Sequence, residues 1–201
     1  MPTIVTNGVD LYYETHGDAA DPAVLLVMGL GTQLIAWPEA FIEGIVAAGF
    51  HVIAFDNRDV GQSTHLHGAV AVHRLRAMLA AGLGMRFPLA YSLEDMARDA
   101  LGLLDALGIE RAHLVGASMG GMIAQIIAAI APTRVLSLTS VMSSSGRRGL
   151  PGPSPELRKR LLARRPRNAS REQLIAMGAE SLEAIAYPDS ARAPDAFQTM
   201  A

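Results

Sequence analysis

Gly116-Ala117-Ser118-Met119-Gly120 sits between two apolar segments, Ala112–Val115 before it and Met122–Ile130 after it. The whole stretch from Leu114 to Ala131 carries no charge and is long enough to span a bilayer as a helix. Its interior argues otherwise. Gly116, Gly120 and Gly121 interrupt a helix but suit a sharp strand-to-helix turn, and Gln125 adds a polar group further on. The spacing predicts a strand over His113–Ala117 and a helix over Met119–Ile130. In a G-x-S-x-G turn of this kind the serine takes a strained backbone conformation with its hydroxyl exposed. Gly116 and Gly120 are expected to let strand and helix backbones pass closely. The helix N-terminus beneath Ser118 presents N–H groups and a positive dipole end to developing negative charge. Alone, the five residues also fit a phosphate or cofactor turn, or a plain helix cap. The flanking strand and helix favour Ser118 as a nucleophile.

Outward from this turn the pattern repeats. Ala23-Val24-Leu25-Leu26-Val27-Met28 and His51-Val52-Ile53-Ala54-Phe55 are apolar runs without alternation, as expected of strands covered on both faces. Gly29-Leu30-Gly31 ends the first, and Pro38 to Ala48 reads as a helix closed by Gly49. Asn7-Gly8, between Thr3–Thr6 and Val9–Thr15, predicts a two-residue hairpin turn. Val70–Ala81 has helical spacing. Ser92 with Asp95 opens a helix running to Leu107 and Gly108, and Val135–Met142 reads as a further strand. The order from Ala23 to Met142 predicts an α/β fold, a doubly wound and mostly parallel sheet with an N-terminal hairpin.

Composition agrees with one domain. The chain has 201 residues, 50% of them hydrophobic, with 17 Lys and Arg against 19 Asp and Glu, which excludes a disordered chain. The same balance argues against a nucleic-acid binder. No cysteine is present, so disulfides, a thiolate nucleophile and cysteine metal sites are excluded. Residues 1–8 show no secretory pattern, and a cytoplasmic location with no integral membrane segment is expected. His65-x-His67 is too weak to suggest a metal, and no metal or cofactor is expected.

The character changes after Ser143. Residues 1–146 are expected to form the core, and 147–201 the start of a helical cap. Two amphipathic stretches begin there, one at Ser154-Pro155-Glu156 and one at Ser170, with Gln173 completing a capping box. Nine basic residues between Arg147 and Arg171 face only Glu156 and Glu172. A solvated helix face explains them better than a lipid or nucleic-acid surface, since interleaved aromatics are absent.

On these motifs the chain resembles an α/β-hydrolase of the serine esterase and lipase type. Besides the turn at Ser118, Val27-Met28-Gly29-Leu30-Gly31 stands where that family carries its oxyanion loop, with Met28 in place of the usual histidine. Asp56-Asn57-Arg58-Asp59-Val60-Gly61-Gln62-Ser63 is similar to the family's turn after the fourth strand and is expected to be structural. Within the family the Val-Met-Gly loop is most similar to small-molecule carboxylesterases such as anthracycline methylesterases. The resemblance implies an acyl-enzyme at Ser118, with the backbone N–H groups of Leu30 and Met119 holding the oxyanion. It implies small or medium, largely apolar esters as substrates; Trp37, Met28, Leu30 and Met119 are candidate pocket residues, and each fits an ordinary core position equally well. Serine in place of aspartate at the turn disfavours epoxide hydrolase and haloalkane dehalogenase chemistry. C–C bond hydrolysis, perhydrolysis and a non-catalytic binding domain are the alternatives.

One expectation of the resemblance is unmet. The family order is serine, acid, histidine. His16, His51, His65, His67, His73 and His113 all precede Ser118, and Asp189 and Asp195 follow no strand-like run. His51 and His113 are expected at the wrong end of the sheet, and His16 at the surface in the turn after the hairpin. His65 and His67 read as solvated loop residues. The sequence therefore predicts a C-terminally truncated hydrolase lacking its last strands, weak or inactive and prone to self-association through an exposed sheet edge.

Overall fold

In a computed structural model the chain is described over residues 2–66, 90–147 and 169–185, with positions 149–150, 152, 154–155 and 159 between. The helix expected over Val70–Ala81, with His67 and His73, lies outside the described residues. So does most of the helix expected from Ser154. Two compact units divide at Arg147 and Arg148.

Among its described residues the first unit contains six strands. They are β1 (Thr3–Thr6), β2 (Val9–His16), β3 (Ala23–Val27), β4 (His51–Phe55), β5 (Ala112–Ala117) and β6 (Val135–Val141). Their order across the sheet is β1-β2-β4-β3-β5-β6. The β1–β2 and β2–β4 pairs are antiparallel, and the β4–β3, β3–β5 and β5–β6 pairs are parallel. This is the mixed sheet with an N-terminal hairpin that the sequence predicts. Asn7 and Gly8 take φ of 47° and 77°, the left-handed pair that a tight hairpin turn demands.

Helices cover both faces, which explains the unbroken apolar runs. Ala23, Leu25 and Val27 of β3, with Ile53 and Phe55 of β4, enter one core with α2 (Leu93–Ala106) and α3 (Met119–Ile130). Val24, Leu26, Val52 and Ala54 enter a second core beneath α1 (Glu39–Ala47). Every residue of β3 and β4 is buried, so neither strand has a polar face to alternate with. The uncharged stretch Leu114–Ala131 is therefore a strand, a turn and a helix. No helix among the described residues is long and apolar enough to cross a membrane.

Element ends differ slightly from the sequence reading. The strand expected to include Met142 stops at Val141, because Met142 has φ of 43° and leaves the extended region. His16 closes β2 rather than lying in a turn, with Nε2 3.9 Å from a Glu14 carboxylate oxygen. In the second unit, α4 (Arg171–Ile185) opens with the expected capping box. The Ser170 Oγ accepts from the Gln173 N–H at 3.2 Å, and the Ser170 N–H donates to Gln173 Oε1 at 2.9 Å.

The turn after β4 fastens the carboxyl end of the parallel strands to its surroundings. Asp56 Oδ1 accepts the Leu34 N–H at 2.8 Å, and Asp56 Oδ2 accepts the Gln62 N–H at 3.0 Å. Arg58 donates twice to the Asp99 carboxylate of α2, from Nε and an Nη, each at 2.6 Å. Asn7 Nδ2 adds a third bond to Asp99 at 2.8 Å, and the Tyr91 ring lies 5.1 Å from the guanidinium carbon. The Asp99 hydrogen bonds raise the Arg58 pKa further above its ordinary value. Both partners are buried, with side-chain exposures of 7% and 2%. Asp99→Ala should cost about 3–5 kcal/mol in a denaturant titration, because it leaves the Arg58 charge buried and unpaired.

At the start of α2 the Ser92 side chain accepts from the Asp95 N–H at 3.2 Å, and the Ser92 N–H donates to the Asp95 carboxylate at 2.8 Å. The bond from the Ser92 N–H, and then one that the Ser92 hydroxyl donates to the same carboxylate oxygen at 2.8 Å, hold the Asp95 pKa below the ordinary carboxylate value. A depressed folded value stabilises above the unfolded pKa of about 3.9 and is lost as pH falls through the lower folded value. Ser92→Ala should therefore cost about 1 kcal/mol at pH 7. The gap to the parent should narrow as acid protonates Asp95, measured by urea midpoints from pH 7 to pH 2.

Candidate active site

Ser118 lies between β5 and α3 with φ 54° and ψ −117°. A non-glycine residue there costs on the order of 1–3 kcal/mol and persists only when its surroundings hold it. Several contacts do so. The Ser118 N–H donates to the Val141 carbonyl of β6 at 2.9 Å. The Ser118 carbonyl accepts from Gly121 at 3.0 Å and Met122 at 3.4 Å, starting α3. Met119, the first helical residue, contributes its N–H to the set that no intrahelical carbonyl can satisfy.

Missing side chains make the turn possible. A Cβ on Gly116 would land on the Gly120 carbonyl and the Gly121 nitrogen, and one on Gly120 would land on the Val27 carbonyl. The first turn of α3 thus crosses β5 and β3 backbone to backbone. Gly121 meets the side chains of Ser140 and Ser143 in the same way, a close approach that the G-x-S-x-G pattern does not cover.

The loop after β3 comes to the same place. A Cβ on Gly29 would lie 3.3 Å from both the Ala117 carbonyl and Ser118 Cβ, and 3.8 Å from Ser118 Oγ. Leu30 follows and is 66% exposed. Asn57, buried at the start of the β4 turn, donates from Nδ2 to the Met28 carbonyl at 3.0 Å. Asp56 holds Leu34 from the same turn, so the loop carrying Gly29 and Leu30 is anchored at both ends. The sequence marks this turn as structural without showing what it holds. Only the side-chain bonds of Asp56 and Asn57 identify the loop as its load.

The candidate pocket residues separate. Trp37 stacks on Phe41 at 5.4 Å and packs against the core beneath α1, while Met119 packs against the core on the other face. Met28 is buried, and Leu30 alone of the four is largely exposed. The histidines separate as well. His51 pairs with Ala23 and His113 with Val24, at the starts of the parallel strands and the end opposite Ser118. His16 pairs with Val52 at that same far end, and His113 Nδ1 lies 2.7 Å from Ser137 Oγ. His65 is on the loop after β4, its Nε2 3.0 Å from the Gly61 carbonyl.

Comparison with known proteins agrees with this architecture. A family model described as the alpha/beta hydrolase fold matches residues 22–187. Rhodomycin D methylesterase of Streptomyces peucetius is 37% identical over 147 residues, 72% of this chain and 43% of that protein. The enol-lactonase of Burkholderia xenovorans LB400 superposes with a TM-score of 0.53 at 29% identity, over 67% of this chain and 44% of that one. A structure from work on carboxylesterases of the thaumarchaeon Nitrososphaera gargenis shares the fold, with a TM-score of 0.63 at 24% identity. It covers 97% of this chain and 61% of that one. The chain spans about half the length of the curated relatives it matches. With the sheet order, the turn at Ser118 and a family model covering most of the sequence in agreement, this chain belongs to the α/β-hydrolase fold family.

Proposed function

We propose that Ser118 is the nucleophile of a serine hydrolase that cleaves carboxylic esters of small or medium apolar molecules through an acyl-enzyme. The reading rests on one observation: a serine in a strained turn at a helix N-terminus, with the backbone of Gly29 against its side chain. The Met119 and Leu30 N–H groups are the proposed oxyanion donors. Each such donor is worth about 3 kcal/mol of barrier where developing charge forms. Two similar proteins named above are, by their names, a methylesterase and an enol-lactonase, which favours an ester as substrate. A cytoplasmic location is part of the same proposal.

Among the described residues, His16, His51 and His113 stand at the far end of the sheet and His65 lies against the Gly61 carbonyl, so turnover by this chain should be slow. Oxyanion donors and binding alone leave roughly 10³–10⁴-fold catalysis over water when a triad is incomplete. The same observation favours a second reading, a non-catalytic binding domain on this fold. Hydrolysis of p-nitrophenyl esters and intact-mass detection of an acyl adduct separate the two. Slow turnover with an adduct, both lost in Ser118→Ala, supports the nucleophile. Turnover that survives the substitution overturns it, and ester binding without turnover in both proteins supports the binding domain.

We also propose that β6 mediates self-association. Among the described residues it is an edge strand of the sheet, it carries no charge, and Leu136 and Leu138 are 39% and 38% exposed. An edge of this kind lacks the charges that keep sheets apart. Light scattering should find oligomers that Leu138→Lys shifts toward monomer. A parent chain that stays monomeric at high concentration contradicts this.

A further inference from the structure

Met142 is a non-glycine residue held in the left-handed region, with φ of 43°. A glycine would take that conformation without strain, so the backbone alone gives no reason for a methionine there. The residue is also 62% exposed, and exposing a long apolar side chain has no folding benefit. Two costs therefore coincide at one residue, and that residue adjoins Ser118. The carbonyl just before it, that of Val141, accepts the Ser118 N–H at 2.9 Å.

Sheet register places Met142 relative to the other exposed apolar residue of the site. Val27, Gly116 and Ser140 are neighbours across β3, β5 and β6. Leu30, Ser118 and Met142 follow these positions on three adjacent strand ends. With strands spaced about 4.8 Å apart, Leu30 and Met142 flank Ser118, one strand away on either side. The crevice beyond the carboxyl ends of parallel strands is where this class of sheet binds ligands.

The segment around Met142 is fastened. Gln125 of α3 donates from Nε2 to Ser140 Oγ at 3.1 Å and to the Ser144 carbonyl at 3.4 Å. One bond falls before Met142 and one after it. A side chain presented from a pinned segment is preorganised, and methionine, unbranched and polarisable, fits apolar chains of varied shape.

We propose that Met142 is a specificity-determining residue, forming with Leu30 the two apolar walls of a subsite around Ser118. It selects esters bearing an unbranched apolar chain of several carbons over those with an acetyl group. This rests on Ser118 marking the site, and the test keeps the two ideas apart. In a Ser118→Ala chain, chosen to suppress Ser118-dependent turnover, p-nitrophenyl acetate and p-nitrophenyl hexanoate are titrated by NMR. Hexanoate should bind about tenfold more tightly, as partial burial of its four extra methylenes requires. Met142→Leu should keep that preference, and Met142→Gly should reduce it to under about threefold. The thermal midpoint of Met142→Gly should not fall, because the left-handed strain is relieved, so lost binding cannot be ascribed to unfolding.

No chain-length preference in the parent overturns the proposal, and so does a preference that Met142→Gly retains. A Met142-dependent preference in a protein whose wild type never hydrolyses the esters leaves the subsite standing and removes the catalytic reading. Ser118-dependent hydrolysis with a Met142-independent preference does the reverse.

Discussion

The absence of two side chains, at Gly116 and Gly120, is the constraint on which this structure turns. Because neither residue has a Cβ, the first turn of α3 rests directly on the backbones of β5 and β3. That contact fixes where α3 begins, and where α3 begins fixes the conformation of Ser118. The strain at Ser118 is offset by the packing of α3, whose Ile123, Ala124 and Ile127 are fully buried in the shared core. A site of this kind is a by-product of tight helix-to-sheet packing. The strained residue needs no extra support of its own beyond the elements that already have to meet there.

The turn after β4 plays the complementary part. Asp56, Asn57 and Arg58 are consecutive, and each reaches a different piece of the molecule: Leu34 and Gln62, the Met28 carbonyl, and Asp99 of α2. All three are buried, where an unsatisfied polar group costs about 1–3 kcal/mol. Every bond therefore has to be present at once, and the turn behaves as a unit. Its effect is to hold the Gly29–Leu30 loop and the N-terminal hairpin in register with the sheet.

Much of this was legible in the residues. The unbroken apolar runs at Ala23–Val27 and His51–Phe55 reveal strands covered on both faces, and Asn7-Gly8 reveals its hairpin, because each depends on local sequence alone. Ser118 stood out because its pattern lay between a strand and a helix. The Asn57 bond to Met28 did not, since asparagine in a polar turn has many local uses and its partner is 29 residues away. Met142 was hidden for a related reason. Its residue type suits a strand end, and only the backbone angle marks it as unusual. Trp37 and Met119 flank the motifs, and the sequence leaves pocket and core open for each; the structure packs them, partly buried, against cores on opposite faces, a division that register decides and proximity in sequence does not.

The Asp99 carboxylate gathers partners from positions 41 and 92 residues earlier in the chain, Arg58 and Asn7. A chain is made from its N-terminus, and a two-residue hairpin closes within microseconds. The β1–β2 hairpin and the β4 turn are therefore synthesised, and the hairpin can be closed, before their shared anion exists. Until α2 emerges, Arg58 keeps its charge in water, and the cleft that will bury it cannot dry. Closure of this corner waits on the synthesis of a single residue, and contacts of such long separation place it among the slower steps of folding.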